Sequence, residues 1–390
     1  MPTTSQKLAH FVSWPVITGL LLGLCAVLWL QKSPNADSHN ATDIQFSNLA
    51  PSNGNWSGPV SYSDAVNIAA PAVVNIYTRK RSEQRQHPLL NDPLFRHFFN
   101  NSDLPQQERM QSALGTGVIL SRDGYIVTNN HVIDGAEEIL VLTYDGREAR
   151  AQKIGSDSES DLAVLKVEMN NLTPIRVGAP DSVKVGDVVL AIGNPFGVGQ
   201  TVTQGIISAT GRYGLGINTY ENYLQTDAAI NPGNSGGALV DAYGNLLGIN
   251  TAILDKTGYS VGIGFAIPAD TVVTAMHDLI QYGKVVRGWL GVEAQQITAE
   301  LAQSFELEST DGVIITAIYN NGPAHQAGLR PGDIITKLND LVVKNGLLSM
   351  NKIARGRPGD KVQVNFIRKG TPYTVTATLG VKPSTEGRTP

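Results

Sequence analysis

From Gly115 to Pro268 the chain alternates short apolar and polar stretches, broken every few positions by Gly, Asp or Asn. The strings GTGVILSRDGYIVTNNHVI, EEILVLTYDGREARAQKIG, DLAVLKV, VGDVVLAIGN and QTVTQGIISATG carry this rhythm. Their RDG and YDG corners are turn signals of antiparallel hairpins. The beat continues through GGALVDAYGNLLGINTAIL to GIGFAIP. No helix-length periodic segment intervenes, so the pattern predicts an all-β sandwich or a pair of barrels and argues against a parallel sheet. At ADTVVTAMHDLIQYGK the apolar spacing becomes helical, with Gly283 near the end, and this reads as a helix closing the first domain. Upstream, YSDAVNIAAPAVVNIYTRK predicts a short helix N-capped by Ser63 and stopped by Pro71, then a β-branched strand. A second, smaller β-rich unit is expected from about Gly288 to Pro383.

The longest apolar run, Phe11–Leu30, contains no charge. About 20 apolar residues match the bilayer core, whereas signal-peptide apolar regions run to roughly 7–15. The following QKSPNADSHNA offers no small-x-small cleavage site near the run, so an uncleaved transmembrane helix at residues 11–30 is expected. Residues 1–10 would then be cytoplasmic and the bulk of the chain outside the cytoplasm. Trp14 and Trp29 sit where interfacial anchors would, although any apolar segment accommodates them. Residues 31–60, rich in Ser, Asn, Pro and Gly, read as a flexible linker. Arg81–Ser112 is polar apart from the aromatic island DPLFRHFF, which suits either a contact site or an ordinary surface loop.

Composition narrows the chemistry. The 390 residues leave room for two or three domains. A net charge of −4 with no long basic run gives no footprint for nucleic acid. Cys25, the single cysteine, lies in the apolar run. Disulfides within the chain, a thiolate nucleophile in the soluble part and cysteine zinc sites are thereby excluded.

One turn stands out. In NPGNSGGAL, Asn231–Leu239, a single hydroxyl is surrounded by small residues, as an awkward turn or a nucleophile would require. Among the seven histidines, His131 alone directly follows a strongly β stretch, and Asp161 opens the apolar DLAVLKV. Taken singly, each suits a structural role as well. A serine needs a base, and the base needs a carboxylate to hold its tautomer. His131, Asp161 and Ser235 follow the chain order of chymotrypsin-like enzymes. The first two fall in one barrel and the serine in the other, with the Gly233 and Ser235 N–H groups as oxyanion donors.

The strings TNNHV, SDLAVLKV, AIGNPFG, TQGIISATGR, QTDAAINPGNSGGAL and GIGFAIP resemble the HtrA family of trypsin-like serine proteases, a resemblance covering Tyr62 to Pro383. It implies a mainly β protein: a chymotrypsin-like double β-barrel protease domain at 61–283, one PDZ domain at 284–383, and a tail at 384–390. It implies His131 as general base, Asp161 as its orienter, Ser235 as nucleophile, and Gly233 and Ser235 as the oxyanion hole, with neither metal nor other cofactor. Substrates would be extended polypeptides cut after small aliphatic residues, with Ala229–Pro232 and Ile249–Thr251 walling the pocket. Arg212 matches an arginine that relays activation, although a surface arginine after a turn reads the same.

In the second unit, GPAHQAGLRPGDIITKLND resembles a PDZ core, and RGWLGV would supply Trp289, Leu290, Gly291 and Val292 as the carboxylate-binding loop. Leu347, Met350 and Ile353 form a helical stripe that could line the peptide pocket, and core packing explains it too. A single PDZ domain behind an anchor resembles the membrane-anchored branch of the family. That branch implies a homotrimer in the inner membrane with its domains in the periplasm. C-terminal peptides of mis-assembled outer-membrane proteins would activate it, and a membrane-spanning anti-sigma factor would be cut. A general quality-control protease and a non-catalytic peptide-binding protein are the other assignments.

Overall fold

The computed structural model describes residues 61–79, 112–178, 183–253 and 261–383. The expected anchor at 11–30, the linker through residue 60, the aromatic island and residues 255–259 lie outside the described residues. No described helix is long and apolar enough to cross a membrane.

Helix α1 (Ser63–Ala69) starts one residue earlier than expected: Tyr62 is the N-cap, and Ser63 already lies inside the helix. Pro71 sits in a single 3₁₀ turn, Ala70–Ala72, from which β1 (Val73–Arg79) emerges. Then come β2 (Ser112–Ile119), β3 (Tyr125–Thr128), the short helix α2 (Asn130–Ile133), β4 (Glu138–Leu142), β5 (Glu148–Asp157) and β6 (Leu162–Val167). These six strands close into a barrel in the order β1-β2-β3-β6-β5-β4. Alternation sends Val74, Ile76, Val118, Ile126, Val141 and Val164 into its core.

The second barrel uses β7 (Arg176–Val177), β8 (Val188–Gly193), β9 (Thr201–Arg212), β10 (Tyr223–Thr226), β11 (Ala238–Asp241), β12 (Asn245–Ile253) and β13 (Gly264–Pro268). Its order is β11-β8-β9-β10-β13-β12-β7, and the β11–β12 pairing closes the ring. Helix α3 (Ala269–Tyr282) follows at once, and Gly283 ends it at φ 70°. A left-handed residue there costs glycine nothing. Val272, Ala275 and Leu279 bury the inner face of α3.

The remaining strands are β14 (Val292–Gln296), β15 (Val313–Ile318), β16 (Ile334–Leu338), β17 (Leu341–Val342), β18 (Lys361–Arg368) and β19 (Thr371–Thr378). They form a sheet in the order β14-β15-β16-β18-β19, with β17 pairing off β16. Three short helices serve it: α4 (Ala299–Ser304), α5 (Pro323–Gln326) and α6 (Gly346–Ala354). Asn345 caps α6 by accepting the amides of Leu347 and Leu348 at 2.8 and 3.3 Å. Leu290, Ile315, Leu329, Val364 and Phe366 build a separate core.

Charged groups stitch this sheet domain to the barrels. Arg357 reaches buried Asp278 of α3 at 2.6 Å, and Lys382 reaches Glu159 at 2.8 Å. Arg287 pairs with Asp157, contacts Glu159 and lies 4.5 Å from the Tyr220 ring centroid. Burial raises the Asp157 carboxyl pKa, but the bond and charge of Arg287 outweigh it and hold Asp157 below its ordinary value.

Candidate active site

The acid comes into place through a strained backbone. Asp161, directly before β6, adopts φ 57°, which few non-glycine residues tolerate. Its carbonyl is held by the Asn130 amide at 3.1 Å and by Asn129 Nδ2 at 3.0 Å. That turns its carboxylate towards α2, where the His131 amide reaches Oδ1 at 2.9 Å and His131 Nδ1 reaches Oδ2 at 2.7 Å. The side chain of Asp161 is 11% exposed and that of His131 49%. A carboxylate accepts only, so Nδ1 carries a proton, and in the neutral imidazole the lone pair is on Nε2.

Ser235 comes from the other barrel, on the turn between β10 and β11. Its hydroxyl donates to the Thr251 carbonyl at 3.3 Å. Thr251, expected from the sequence only as part of a pocket wall, is a hub of the site, since its hydroxyl donates to Asp161 Oδ2 at 2.9 Å. The β12–β13 register shifts between Asn250 and Ala252, leaving Thr251 as the extra residue of a bulge. Such a bulge re-aims a side chain out of the alternating pattern. Spacing in the sequence gives no sign of it.

The turn around Ser235 is shaped for donors. Gly233 has φ 103°, and a Cβ there would stand 2.3 Å from the Asn194 carbonyl oxygen. The Pro232 carbonyl accepts the Phe196 amide at 3.0 Å. Every described peptide bond is trans, so the Gly233 N–H on that plane points the opposite way, out of the turn. Among the described residues, neither the Gly233 nor the Ser235 amide donates to a protein acceptor. Phe196 itself sits at φ 56°, an unheralded contributor.

Arg212 ends β9 and donates from Nε to Gln225 Oε1 at 2.9 Å, on the strand that leads into the Ser235 turn. In the sheet domain Trp289 packs edge-on against Tyr319, with centroids 5.1 Å apart, and its amide pairs with the Gly380 carbonyl. Leu290 is buried in the sheet-domain core, Gly291 turns the chain at φ 79°, and Val292 opens the edge strand β14. On α6, Leu347 and Met350 are exposed by 46% and 37%. Ile353 departs from the expected stripe, since the helix turns it into the core beside Leu379. No group of three or more His, Cys, Asp or Glu that could hold a metal occurs among the described residues.

Residues 115–249 match the trypsin-like peptidase domain family, and residues 288–379 match the PDZ domain family. The chain is 41% identical over 337 residues to a probable periplasmic serine endoprotease, DegP-like, of Ectopseudomonas mendocina, spanning 83% of this chain and 71% of the relative. It is 43% identical over 317 residues to the periplasmic pH-dependent serine endoprotease DegQ of Escherichia coli, spanning 80% and 69%. Among solved structures, the HtrA-type protease AlgW with a decapeptide superposes at TM-score 0.70 and 55% identity, covering 83% of this chain and all of that one. The serine endoprotease from Yersinia pestis gives TM-score 0.60 at 40% identity, covering 84% of this chain and all of that one. With two barrels carrying His131, Asp161 and Ser235 at their junction, and relatives matched over more than two thirds of their length, the chain belongs to the HtrA family of trypsin-like serine endoproteases.

Proposed function

We propose that this serine endoprotease is a peptide-activated, membrane-anchored signalling protease of the DegS/AlgW type, with a protease domain at 61–283 and a PDZ domain at 284–383. His131 Nε2 takes the proton from Ser235 as the hydroxyl leaves the Thr251 carbonyl and attacks a peptide carbonyl. Asp161 holds the imidazole in the right tautomer and balances the imidazolium that forms. The Gly233 and Ser235 amides bind the developing oxyanion, and His131 then protonates the leaving amine. The acyl-enzyme is hydrolysed by the same steps run with water.

The observation that carries regulation by peptides is the edge of the sheet domain. Among the described residues, strand β14 has a partner on one side only, and α6 beside it exposes Leu347 and Met350. An extended peptide can add to β14, place its last side chain against those two residues and its carboxylate at Trp289–Val292. AlgW has been solved with a decapeptide and with a tripeptide, which supports the same use of this edge. The activating ligands are then C-terminal peptides of misfolded outer-membrane proteins. Arg212, linked to Gln225, relays their binding towards the oxyanion turn. The enzyme works as a homotrimer in the periplasm, anchored in the inner membrane by residues 11–30, and cuts the periplasmic part of a membrane-spanning anti-sigma factor.

Fluorophosphonate labelling of Ser235 with and without C-terminal tripeptides, run beside cleavage of a candidate anti-sigma factor, tests this reading. Labelling and cleavage should rise together with an apolar C-terminal peptide. Strong labelling indifferent to peptide would point instead to a general quality-control protease, and no labelling at all to a peptide-binding protein.

A further inference from the structure

The nucleophile turn is pinned by its carbonyls. Asn231 O accepts the Asn234 amide at 2.9 Å, Pro232 O the Phe196 amide at 3.0 Å, and Asn234 O the Gly237 amide at 2.9 Å. The remaining two, on Gly233 and Ser235, go to one residue of the opposite barrel. Thr116 of β2, fully buried, donates its hydroxyl to Gly233 O at 2.6 Å and its amide to Ser235 O at 2.9 Å. The same hydroxyl accepts the Asn194 amide at 3.2 Å, and the Thr116 carbonyl accepts Thr128 Oγ1 at 2.7 Å. Thr128 ends the strand that leads into α2 and His131.

The geometry has a consequence for the two donors. Peptide units are rigid planes that swivel only at their Cα atoms. The Gly233 N–H lies on the plane before residue 233, and the Ser235 N–H on the plane after residue 234. Between them sits a single plane, the one that bears Gly233 O. Pro232 O and Asn234 O hold the two planes that carry these N–H groups, and the bond to Gly233 O holds the plane that joins them. We propose that the Thr116 hydroxyl is a positioning residue for catalysis: it fixes the central plane of the oxyanion turn and so makes the two amides converge on one oxygen. It never touches substrate. This inference rests on the assignment of Gly233 and Ser235 as the oxyanion donors.

A purely structural role makes a different prediction. A buried hydroxyl with two partners stabilises the fold wherever it sits, and its loss would lower the melting temperature and leave turnover per folded molecule alone. A positioning role appears in kcat. In the full chain, Thr116→Val keeps the side-chain shape and removes the hydroxyl. We expect its kcat on a fluorogenic peptide to fall roughly tenfold to a hundredfold, short of the ~10²–10³ lost with a whole oxyanion donor. KM should stay within about threefold, because the ground-state carbonyl does not depend on the donor angle. Affinity for a peptidyl boronate, whose adduct carries the oxyanion, should fall in step with kcat. Thr116→Ser should restore kcat to within about threefold of the parent.

Should Thr116→Val fail to fold at the assay temperature, the comparison of Thr116→Ser with Thr116→Cys replaces it. A thiol is the weaker donor, so the cysteine variant should turn over several-fold more slowly than the serine variant at equal KM. The inference is overturned by a folded Thr116→Val with parental kcat, by a loss confined to KM, or by equal rates in the serine and cysteine variants. A Ser235→Ala control separates the two levels. If that variant is inert while Thr116→Val works at full speed, only the Thr116 role falls. If Ser235→Ala still turns over, the nucleophile assignment falls and takes the oxyanion turn with it.

Discussion

The Thr251 hydroxyl stands 2.9 Å from Asp161 Oδ2, the same oxygen that His131 Nδ1 reaches at 2.7 Å. The two residues come from different barrels, 90 positions apart in the chain. Their bond ties the acid of one barrel to the strand behind the nucleophile of the other, so the closeness of the barrels and the orientation of the imidazole depend on each other.

Removing that hydroxyl should therefore slow the chemistry. A hydrogen bond to a charged group contributes about 1.5–3 kcal/mol, of which water recovers a part. Thr251→Val should lower kcat roughly tenfold with Thr251→Ser near the parent. Steady-state hydrolysis of a fluorogenic peptide measures it, and a valine variant with parental kcat would remove Thr251 from the site.

Asp161→Asn should do far more. An amide can donate to Nδ1 and favour the tautomer whose Nε2 already holds a proton, leaving no base for Ser235. The expected loss in kcat is about 10⁴-fold. Circular dichroism should show an intact fold, and a loss below tenfold would argue that another group orients His131.

Gly236 has φ 84°, and a Cβ there would lie 2.0 Å from the Thr116 carbonyl oxygen. Neither that backbone oxygen nor the left-handed conformation can give way cheaply. Gly236→Ala should lower the unfolding free energy by more than about 1 kcal/mol and reduce fluorophosphonate labelling. An alanine variant as stable as the parent, in a denaturant titration, would contradict this close approach.

The Arg287–Asp157 pair gives the seam between barrels and sheet domain a defined acid response. The folded-state pKa of Asp157 lies below its ordinary value. Its contribution is thus complete above the ordinary carboxylate range and is lost as pH falls through the folded-state value. Removing one partner of a buried pair costs about 3–5 kcal/mol, and both side chains here are nearly buried. Arg287→Leu should be less stable than the parent at pH 7 and should lose less on acidification, narrowing the gap. Melting curves across the acid range measure this, and parallel acid limbs would rule it out.

How much could be read in advance differs by level. Alternating stretches with RDG and YDG corners determine that the segment from Gly115 to Pro268 is mainly antiparallel β, because a period of two buries one face of a strand and nothing else. Gly283 marks the end of α3 for a similarly local reason. The nearest neighbours of Ser235 had to be small, and that too is visible along the chain, since a left-handed turn allows little else. Ser63 slipped by one position because the capping geometry is decided by how the chain leaves Tyr62, with no side-chain bond to mark the site.

What the sequence alone determined, then, is the set of chemical parts and the local shapes that present them: an imidazole, a carboxylate and an alcohol on a glycine turn. What only the tertiary structure decided is which surfaces meet. The bulge that turns Thr251 to Asp161, the Thr116 hydroxyl beneath Gly233 O and the amide of Phe196 behind Pro232 O all join segments far apart in the chain. Such contacts depend on barrel closure and register. Those are settled by the packing of whole strands, so no short stretch of residues carries their signature.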